Sequence, residues 1–592
     1  MGRVRLDPRR AYKPLDLGNG IVSGSLTAGG RWLSLGTAHP VHGRVVLTDA
    51  DAFPDARRHD QRAVRAYRSA LASPDREGFG LELLRGPARA ILVEDTFPLA
   101  MHVRRDARIE VLSFAPPGRR GAVQLVRVDA TRATRIEPMW TGTMRLARAA
   151  YTQLTPGGAL PPVAEEPTFG RDGRLVWIVD EFLGAAAAIA LGPTLELARR
   201  ESQTFAVAVA LGDTRDAALA EAIALAGAAH ELAPSVVRDR RALWAGIDAA
   251  TARAAPVRRA VSYAFDCAAS RLDSGAVAIL ADHEILPLVW TRDAYYVCRA
   301  LLAIDPRGEG GDLVRAFARW CFEVAERTDG WWPRASLASG QAKDPAFQLD
   351  QQLYPLLLLD DIARLAGDDA FARRYAPERD RIVAALLARR AACGLIATDE
   401  TPADDPLDRP FHFSSHVLLW RVLRDVDAGA AHQAREATLA HFVADGRFAY
   451  AVRGPRADGA MAYHDANDLP TVFAPGWGFC AADDPHWRAT IAFAWSSANP
   501  GYVAGDLGGL GSVHTLHPWP LGDLQDIVVG RVLGDRARVA RARSRLRRVR
   551  AWDGMLPEAY DEADGSVASR HWFAWPIALW ALLEHEPGLR AP

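Results

Sequence analysis

The sequence from residue 250 onward consists largely of amphipathic helical segments, and this feature restricts the possible folds more than any other. In eleven segments apolar residues recur every three to four positions, which puts them on one face of a helix. Loops rich in Gly, Pro and Asp separate the segments. The segments are residues 257–270, 293–304, 311–326, 348–366, 369–389, 414–426, 430–444, 487–496, 521–533, 536–549 and 572–586. Because their number is close to the twelve helices of an (α/α)6 six-hairpin barrel, we predict that barrel for residues 251–592.

The first 215 residues have a different pattern, in which short β-type runs alternate with turns rich in Gly, Pro and Asp. We predict an antiparallel β-sandwich for residues 1–215. Its charged side chains are scattered along the runs, so we expect this domain to act as a scaffold or to line a site. Residues 216–250 are rich in Ala at helical spacing and predict a helical linker, which we expect Pro234 to divide into two helices. The predicted fold class is therefore mainly α with an all-β N-terminal domain.

The composition limits the partners and the chemistry. The chain has 71 basic and 72 acidic residues, a balance that gives no electrostatic reason to expect nucleic acid or a membrane surface as a partner. Its five Cys lack CxxC spacing and predict neither a disulfide framework nor a zinc site. We see no signal peptide and no apolar run long enough to span a bilayer, so we predict a cytoplasmic protein. We also predict that the protein has no cofactor. The oligomeric state stays open.

Two loops that precede helical segments combine Trp with polar side chains. The first contains Trp290, Arg292 and Asp293, and the second runs from a Trp pair to a polar pair. The residues singled out in the second loop are Trp331, Trp332, Gln348 and Asp350. An Asp at these positions could simply cap a helix. It could instead bind sugar hydroxyls while Arg holds it rigid, next to Trp rings that stack on the sugar faces.

Carboxylates of the kind needed for acid–base catalysis occur in two loops. Asp404 and Asp405 are adjacent and lie between two prolines. Adjacent carboxylates repel each other, so we expect one pKa to be raised, as suits a general acid. Glu558 follows a proline, and Arg570 and Trp572 come after the next turn. We interpret Glu558 as the partner carboxylate, although a solvated Glu in an ordinary loop is the alternative.

A further group of polar residues lies between these two loops. We interpret Asp465, Asn467, Asn499 and His514 as groups that contact a sugar. His514 and His517 also raise the possibility of a metal, but their spacing is a poor zinc pattern, so we predict no metal site.

Seven short strings occur in the same order as in glycoside hydrolase family 125, the metal-independent exo-α-1,6-mannosidases, which residues 255–590 resemble. The strings are Trp290-Thr-Arg-Asp293, Gln348-Leu-Asp-Gln-Gln-Leu-Tyr-Pro355, Pro402-Ala-Asp-Asp405 with Phe411, Asp465-Ala-Asn467 with Pro470, Asn499-Pro500, Pro518-Trp519, and Pro557-Glu558 with Arg570-His-Trp-Phe-Ala-Trp575. The resemblance implies an inverting hydrolase with Asp404 as acid, Asp405 as the alternative acid and Glu558 as base. It also implies a sugar-contacting set of Arg292, Asp293, Asp350, Asp465, Asn467 and Trp572.

The sequence departs from that family in three places. An N-terminal sandwich precedes the barrel, as in bacterial glucoamylases and disaccharide phosphorylases. Thr401 replaces the usual Arg, and Ala559-Tyr560 replaces the usual Ser-Phe. The resemblance implies release of mannose from α-linked (1,6) manno-oligosaccharides or glycoconjugates. Because of the three departures, a glucoamylase-type α-glucosidase and an inverting disaccharide phosphorylase are the alternatives. A carbohydrate-binding protein without catalysis is the non-enzymatic alternative.

Overall fold

The computed structural model describes residues 4–51, 60–149 and 167–592. The chain divides into two compact units. The first comprises the described residues of Met1–Arg253, Arg258–Val289 and Leu337–Gln341, and the second comprises Ala254–Val257, Trp290–Ser336 and Ala342–Pro592. The first unit thus extends past the segment that the sequence predicts to be a linker. Every residue singled out above as a site candidate belongs to the second unit.

The first unit is built on two antiparallel sheets, which confirms the predicted all-β N-terminal domain. The larger sheet has nine strands in the order Val4–Leu6, Ala90–Glu94, Phe97–Val103, Ala107–Phe114, Gly121–Ala130, Ser202–Gly212, Ala185–Ala190, Leu175–Asp180 and Thr168–Asp172. The smaller sheet has five strands in the order Arg145–Arg148, Gly43–Thr48, Trp32–His39, Val22–Leu26 and Leu15–Gly18. Three two-stranded ribbons pair Thr134–Ile136 with Leu195–Leu197, Trp140–Thr141 with Gly80–Leu81, and Ala269–Arg271 with Val277–Ile279.

Two helices lie wholly within this unit, α1 (Gln61–Ala72) and α2 (Arg215–Ala245), and residues 258–263 of the next helix also belong to it. Helix α2 continues through Pro234, so the prediction that proline divides it is wrong. A proline inside a helix costs about 3 kcal/mol. The Ala-rich face of α2 is buried on both sides of the proline, from Ala218 to Val236, in one core with the nine-stranded sheet. Burial along the whole face offsets the lost hydrogen bond.

The remaining helices confirm the predicted (α/α)6 barrel. They are α3 (Ala255–Tyr263), α4 (Thr291–Ile304), α5 (Glu309–Arg319), α6 (Leu349–Ala366), α7 (Asp369–Ala388), α8 (Phe413–Arg424), α9 (Ala428–Phe442), α10 (Leu469–Trp477), α11 (Pro485–Ala494), α12 (Pro520–Leu533), α13 (Arg536–Arg548) and α14 (Ala574–His585). Helices α4, α6, α8, α10, α12 and α14 each contact the next, and α14 contacts α4, which closes an inner ring. Helices α5, α7, α9 and α13 pack outside their inner partners.

Each of the eleven predicted helical segments contains a helix, and α10 is the helix that the sequence pattern missed. Pro470 and Pro475 interrupt its short apolar run. The segments at 257–270 and 311–326 were predicted too long, because π-helical turns at Ala264–Ala268 and Trp320–Val324 follow their α-helices. Among the described residues, no helix is long and apolar enough to cross a membrane.

Short ribbons in the loops of the second unit complete the fold. They pair Ala335–Ser336 with Ala342–Asp344, Phe411–His412 with Ala451–Val452, Val443–Ala444 with Arg447–Phe448, Tyr502–Val503 with Gly509–Leu510, and Ala559–Tyr560 with Val567–Ser569. Contacts between first turns show that the inner helices begin at one end of the ring. Arg292 at the start of α4 contacts Asp350 at the start of α6, and Tyr296 stacks on Trp575 at the start of α14. The loops that enter the inner helices therefore converge.

Candidate active site

Arg292 connects three of the predicted carboxylates at the convergent end of the ring. Its guanidinium donates to Asp350 Oδ2 over 3.0 Å and to Asp404 Oδ1 over 3.3 Å, and its Nε lies 3.5 Å from Asp293 Oδ1. Burial alone lowers the pKa of Arg292, but Asp350, Asp404 and Asp293 outweigh it and raise that pKa. A guanidinium held by several acceptors is a rigid cation, so Arg292 fixes the relative positions of these carboxylates.

Neither Asp293 nor Asp350 acts as a helix cap. The N-cap residues of α4 and α6 are Trp290 and Gln348, and neither side chain makes a capping hydrogen bond. Both aspartates lie in the first turn of their helix and are buried. Burial raises the pKa of Asp293 to about 6, against the lowering effect of Arg292 and Arg570. The structure therefore excludes N-capping by either side chain, and their role in a sugar site stays a prediction.

Asp404 is held in an unusual backbone conformation. Its φ is +63°, in the left-handed region that non-glycine residues rarely adopt. The turn is closed by a hydrogen bond from the Asp404 N–H to Thr401 O, while Thr401 Oγ1 accepts from the Asp405 N–H. Gln348 Nε2 donates to Asp404 Oδ1 over 2.8 Å. Strained residues are enriched at functional sites, and here the strain aims the carboxylate at Arg292 and Gln348.

The expected rise of a pKa through repulsion between Asp404 and Asp405 does not occur at Asp404. Burial acts to raise the pKa of Asp404, but the charges of Arg292 and Arg334 hold it below its ordinary value. Asp405 turns away to a different partner, since its Oδ2 lies 3.0 Å from His514 Nδ1. Adjacency in sequence therefore does not make the two carboxylates a coupled pair.

His514 lies near three of the predicted acidic residues. Burial acts to lower its pKa, but the hydrogen bond to Asp405, together with the charges of Asp405, Glu558 and Asp465, raises it to about 9. The imidazole is therefore a cation at neutral pH and donates to Asp405. Because Glu558 and Asp405 both act on this one ring, the acid loop and the Glu558 loop share one region of the barrel.

We expect this ion pair to be visible in a titration. In NMR spectra of histidine-labelled protein, the His514 ring should titrate near pH 9, and in Asp405→Asn its pKa should fall toward the ordinary value of about 6.5. The exposed residue His432 is a control, and its ring signals should be the same in the variant and in the unaltered protein. A His514 ring that titrates near 6.5 in the unaltered protein would contradict the pairing.

Glu558 is positioned by the ribbon that follows it. Its backbone N–H donates to Arg570 O over 3.0 Å, and Ser569 Oγ donates to Glu558 Oε2 over 2.8 Å. Arg570 Nη1 lies 3.8 Å from Glu558 Oε1. Arg570 also acts on the pKa of Asp293, so its guanidinium lies between the Glu558 loop and the first turn of α4. One Glu558 oxygen thus has a neutral donor, and the other faces a cation.

Several buried polar atoms without a hydrogen-bond partner lie where the inner helices begin. Among the described residues they include Trp290 Nε1, Asp293 Oδ1, Asp465 Oδ2, Asn467 Nδ2 and Trp575 Nε1. Burial and the neighbouring Asp468 raise the pKa of Asp465 to about 7. A buried polar atom without a partner costs about 1–3 kcal/mol, so a cluster of such atoms suggests that water or a polar ligand completes them.

Three predicted contact residues have structural roles instead. Trp332 is 1% exposed, and its indole N–H donates to Cys321 O over 3.0 Å. Trp572 is fully buried, so it too presents no open ring face. Asn499 is buried and bonds only backbone groups, of which His464 and Ala494 are two. Of the predicted stacking pair, only Trp331 is partly exposed, and its ring packs edge-on against Phe347.

Sequence reasoning missed a second layer of supporting residues. Glu400 Oε2 accepts from Gln348 Nε2 over 3.0 Å, and Arg334 Nη1 donates to Glu400 Oε1 over 2.8 Å. Arg334 also pairs with Asp344. The one available signal was the position of Arg334 directly after the Trp331–Trp332–Pro333 string.

The two histidines considered as a metal pair have separate partners. His514 bonds Asp405, whereas His517 Nδ1 lies 2.8 Å from Glu562 Oε2. His517, Asp561 and Glu562 are close enough together to bind an ion, and all three are partly exposed. Neither Asp404 nor Glu558 itself belongs to that group.

Comparison with known proteins gives one family match and several matches of fold. Residues 389–583 match the family model described as metal-independent alpha-mannosidase (GH125), which covers about a third of the chain. No curated protein matches the sequence. A bacterial glucoamylase complexed with acarbose superposes with a TM-score of 0.57 at 12% identity, over 98% of this chain and 95% of the other. A putative kojibiose phosphorylase from the human microbiome superposes with a TM-score of 0.56 at 9% identity, over 98% of this chain and 87% of the other.

A metal-independent alpha mannosidase from Streptococcus pneumoniae, in a non-productive complex with alpha-1,6-mannobiose, gives a TM-score of 0.48 at 19% identity, over 59% of this chain and 98% of the other. The two longer matches show that the fold is shared over nearly the whole chain. Together with the family match, they make this protein a glycoside hydrolase of the six-hairpin superfamily. Within that superfamily the chain resembles the metal-independent α-mannosidases.

Proposed function

We propose that the protein is an inverting, exo-acting α-glycoside hydrolase that releases mannose from α-linked, 1,6-type manno-oligosaccharides or glycoconjugates. The observation that carries the proposal is the meeting of the Asp404–Asp405 loop and Glu558 around His514, Arg292 and Arg570. Two carboxylates on opposite sides of an anomeric carbon are what inversion requires, with about 6.5–9.5 Å between them to admit a water molecule.

In the proposed reaction Asp404 gives its proton to the departing glycosidic oxygen. Glu558 takes a proton from the water that attacks the other face of the anomeric carbon, so the C–O bond to the leaving group breaks as the new C–O bond forms. Positive charge develops on the sugar ring, and the carboxylates of Asp293 and Asp350 next to Arg292 would stabilise it. Water, not a cofactor or metal, is the only co-reactant in this scheme.

The depressed pKa of Asp404 adds a requirement to this mechanism. In the free protein Asp404 is ionised at neutral pH, because Arg292 and Arg334 favour its charged form. A bound sugar excludes water from the carboxylate, and desolvation favours the protonated form. We therefore expect Asp404 to be protonated in the complex with substrate. We also expect kcat/KM to rise as the pH falls from 8 toward 5.

The unpartnered polar atoms support an exo mode of action. Asp293 Oδ1, Asp465 Oδ2 and Asn467 Nδ2 lie in or just before the first turns of inner helices, where the ring is filled by side chains. We propose that they bind the hydroxyls of one terminal sugar, which would leave the rest of the chain to extend outward. The preference for mannose rests on the family resemblance. The similarity of the entire chain to a glucoamylase favours release of glucose as the second candidate.

The test is a screen of α-linked manno- and gluco-disaccharides, followed by NMR within the first minutes of reaction. We expect an α-mannoside to be cleaved and the fresh sugar to appear as the β-anomer. The same reactions with and without inorganic phosphate separate hydrolysis from phosphorolysis, since only a phosphorylase forms a sugar 1-phosphate. An α-anomer as first product would overturn the two-carboxylate mechanism, and cleavage of gluco-disaccharides alone would overturn the mannose assignment.

A further inference from the structure

A cavity of the barrel unit, outside the candidate active site, has a strongly basic lining. Its volume is about 590 Å³, and it lies between the C-terminal end of α12, one face of α13 and the segment that follows α14. The lining arginines are Arg531, Arg536, Arg543, Arg547 and Arg590. Small residues, Gly530, Gly534, Ala540 and Gly588, form other parts of the wall and leave the space open. The catalytic candidates lie near the N-terminal ends of the inner helices, so this cavity is at the other end of α12.

The positive charge in this cavity is largely uncompensated. Among the described residues, the lining includes no carboxylate. Arg543 pairs with Glu584 over 2.9 Å, but no ion pair within the described part of the chain involves Arg531, Arg536, Arg547 or Arg590. Arg531 donates to three backbone carbonyls, which fix its position without cancelling its charge. Burial and the charge of Arg543 lower the pKa of Arg531 to about 10, so it is still a cation at neutral pH.

The opposite face of α13 shows that this fold can neutralise arginines where they are structural. Arg538 and Arg545 point toward α12, where Asp526 pairs with both of them and Asp523 pairs with Arg545. At 100° per residue, Arg536, Arg543 and Arg547 fall within about 40° of one another on the cavity side of the same helix. A neighbouring cavity of about 660 Å³ is also arginine-lined, but Asp360, Asp425 and Glu586 are among its lining residues. The basic cavity differs from both in that no carboxylate is among the described residues that line it, and Glu584 pairs with only one of its five arginines.

We propose that this cavity binds a small phosphate-bearing anion. Guanidinium groups offer paired N–H donors that match the oxygen geometry of phosphate, and several of them around one space favour a multiply charged ligand. The volume exceeds that of one phosphate ion, so the class includes pyrophosphate and sugar phosphates. The site is independent of the proposed hydrolytic function, because none of its residues belongs to the Asp404–Glu558 region.

The test measures binding of inorganic pyrophosphate to the full chain by calorimetry, at an ionic strength held constant with NaCl. We expect saturable binding of one pyrophosphate per chain, weakened at least about tenfold in the double variant Arg536→Gln, Arg547→Gln. Arg541→Gln is the matched control. Arg541 is on the same helix, is exposed and has no ion pair within the described residues, but it does not line the cavity. This variant should bind as the unaltered protein does.

A parallel titration with glucose 6-phosphate separates a site for inorganic anions from one that also contacts the sugar. The site is supported if binding of either ligand is weakened in the double variant and not in Arg541→Gln. Three results would overturn it: no saturable binding of either ligand, equal binding by the double variant, or the same loss in Arg541→Gln, which would indicate a diffuse electrostatic effect. The double variant should hydrolyse the glycoside substrate normally, which shows that it is folded.

Discussion

Replacement of Glu558 by Gln is expected to lower kcat by about 10²- to 10⁴-fold, the usual contribution of a general base. Gln has nearly the same shape and can still accept the hydrogen bond from Ser569 Oγ, so the loop should keep its conformation. What is lost is the ability to take a proton from the attacking water. The measurement is the rate of disaccharide cleavage under saturating substrate.

Asp404→Asn should lower the rate on a disaccharide to a similar degree, but the two variants should differ on an α-glycosyl fluoride. Fluoride departs without a proton from the enzyme, so Asp404→Asn should regain most of its activity while Glu558→Gln should not. The same comparison in Asp405→Asn decides between the adjacent carboxylates, because only the true acid shows rescue by the better leaving group.

Asp408→Asn is the matched control for both carboxylates. Asp408 is in the same acidic loop, but its side chain is 61% exposed and pairs with Arg409 and Arg453. Its substitution should leave kcat nearly unchanged. If Glu558→Gln retained more than a tenth of the rate, or if Asp408→Asn fell as far as Asp404→Asn, the assignment of the carboxylates would be wrong.

The second large effect is expected in stability. Replacement of Arg292 by Met should lower the free energy of unfolding by about 3–5 kcal/mol, because it leaves buried carboxylates without their cation. The loss of the cation should affect Asp350 most, because this carboxylate is buried and forms an ion pair with Arg292 at 3.0 Å. The loss should appear as a melting temperature several degrees lower in differential scanning calorimetry.

Two further variants test whether the cause is electrostatic. Adding Asp350→Asn to Arg292→Met removes one uncompensated charge and should recover part of the lost stability. Arg541→Met, an exposed arginine without an ion pair in the described part of the chain, should change stability by no more than about 0.5 kcal/mol. A melting temperature unchanged in Arg292→Met would show that the carboxylates do not depend on this cation.

Most of the fold could be predicted from the sequence because helical periodicity is a local property. The apolar spacing in the second half located eleven helices, and α10 was missed because its two prolines conceal the same spacing. Pro234 shows the reverse error, because the proline predicted the end of a helix but α2 continues through it. The reason is that one face of α2 is buried against a sheet on both sides of the proline, from Ala218 to Val236. Local signals fail where burial by distant residues decides the conformation.

The sequence by itself determined which chemical groups are the main candidates for the site. The first turns of α4 and α6, the Pro-flanked Asp pair and the Glu after Pro557 are all recognisable from neighbouring residues. Only the tertiary structure decided what each group does. Trp332 and Trp572 are packed inward, and the Asp404 pKa is lowered by Arg292 and Arg334 although a second carboxylate follows it directly. Exposure and charge depend on residues brought close by the closed ring of helices, and no local pattern records those distances.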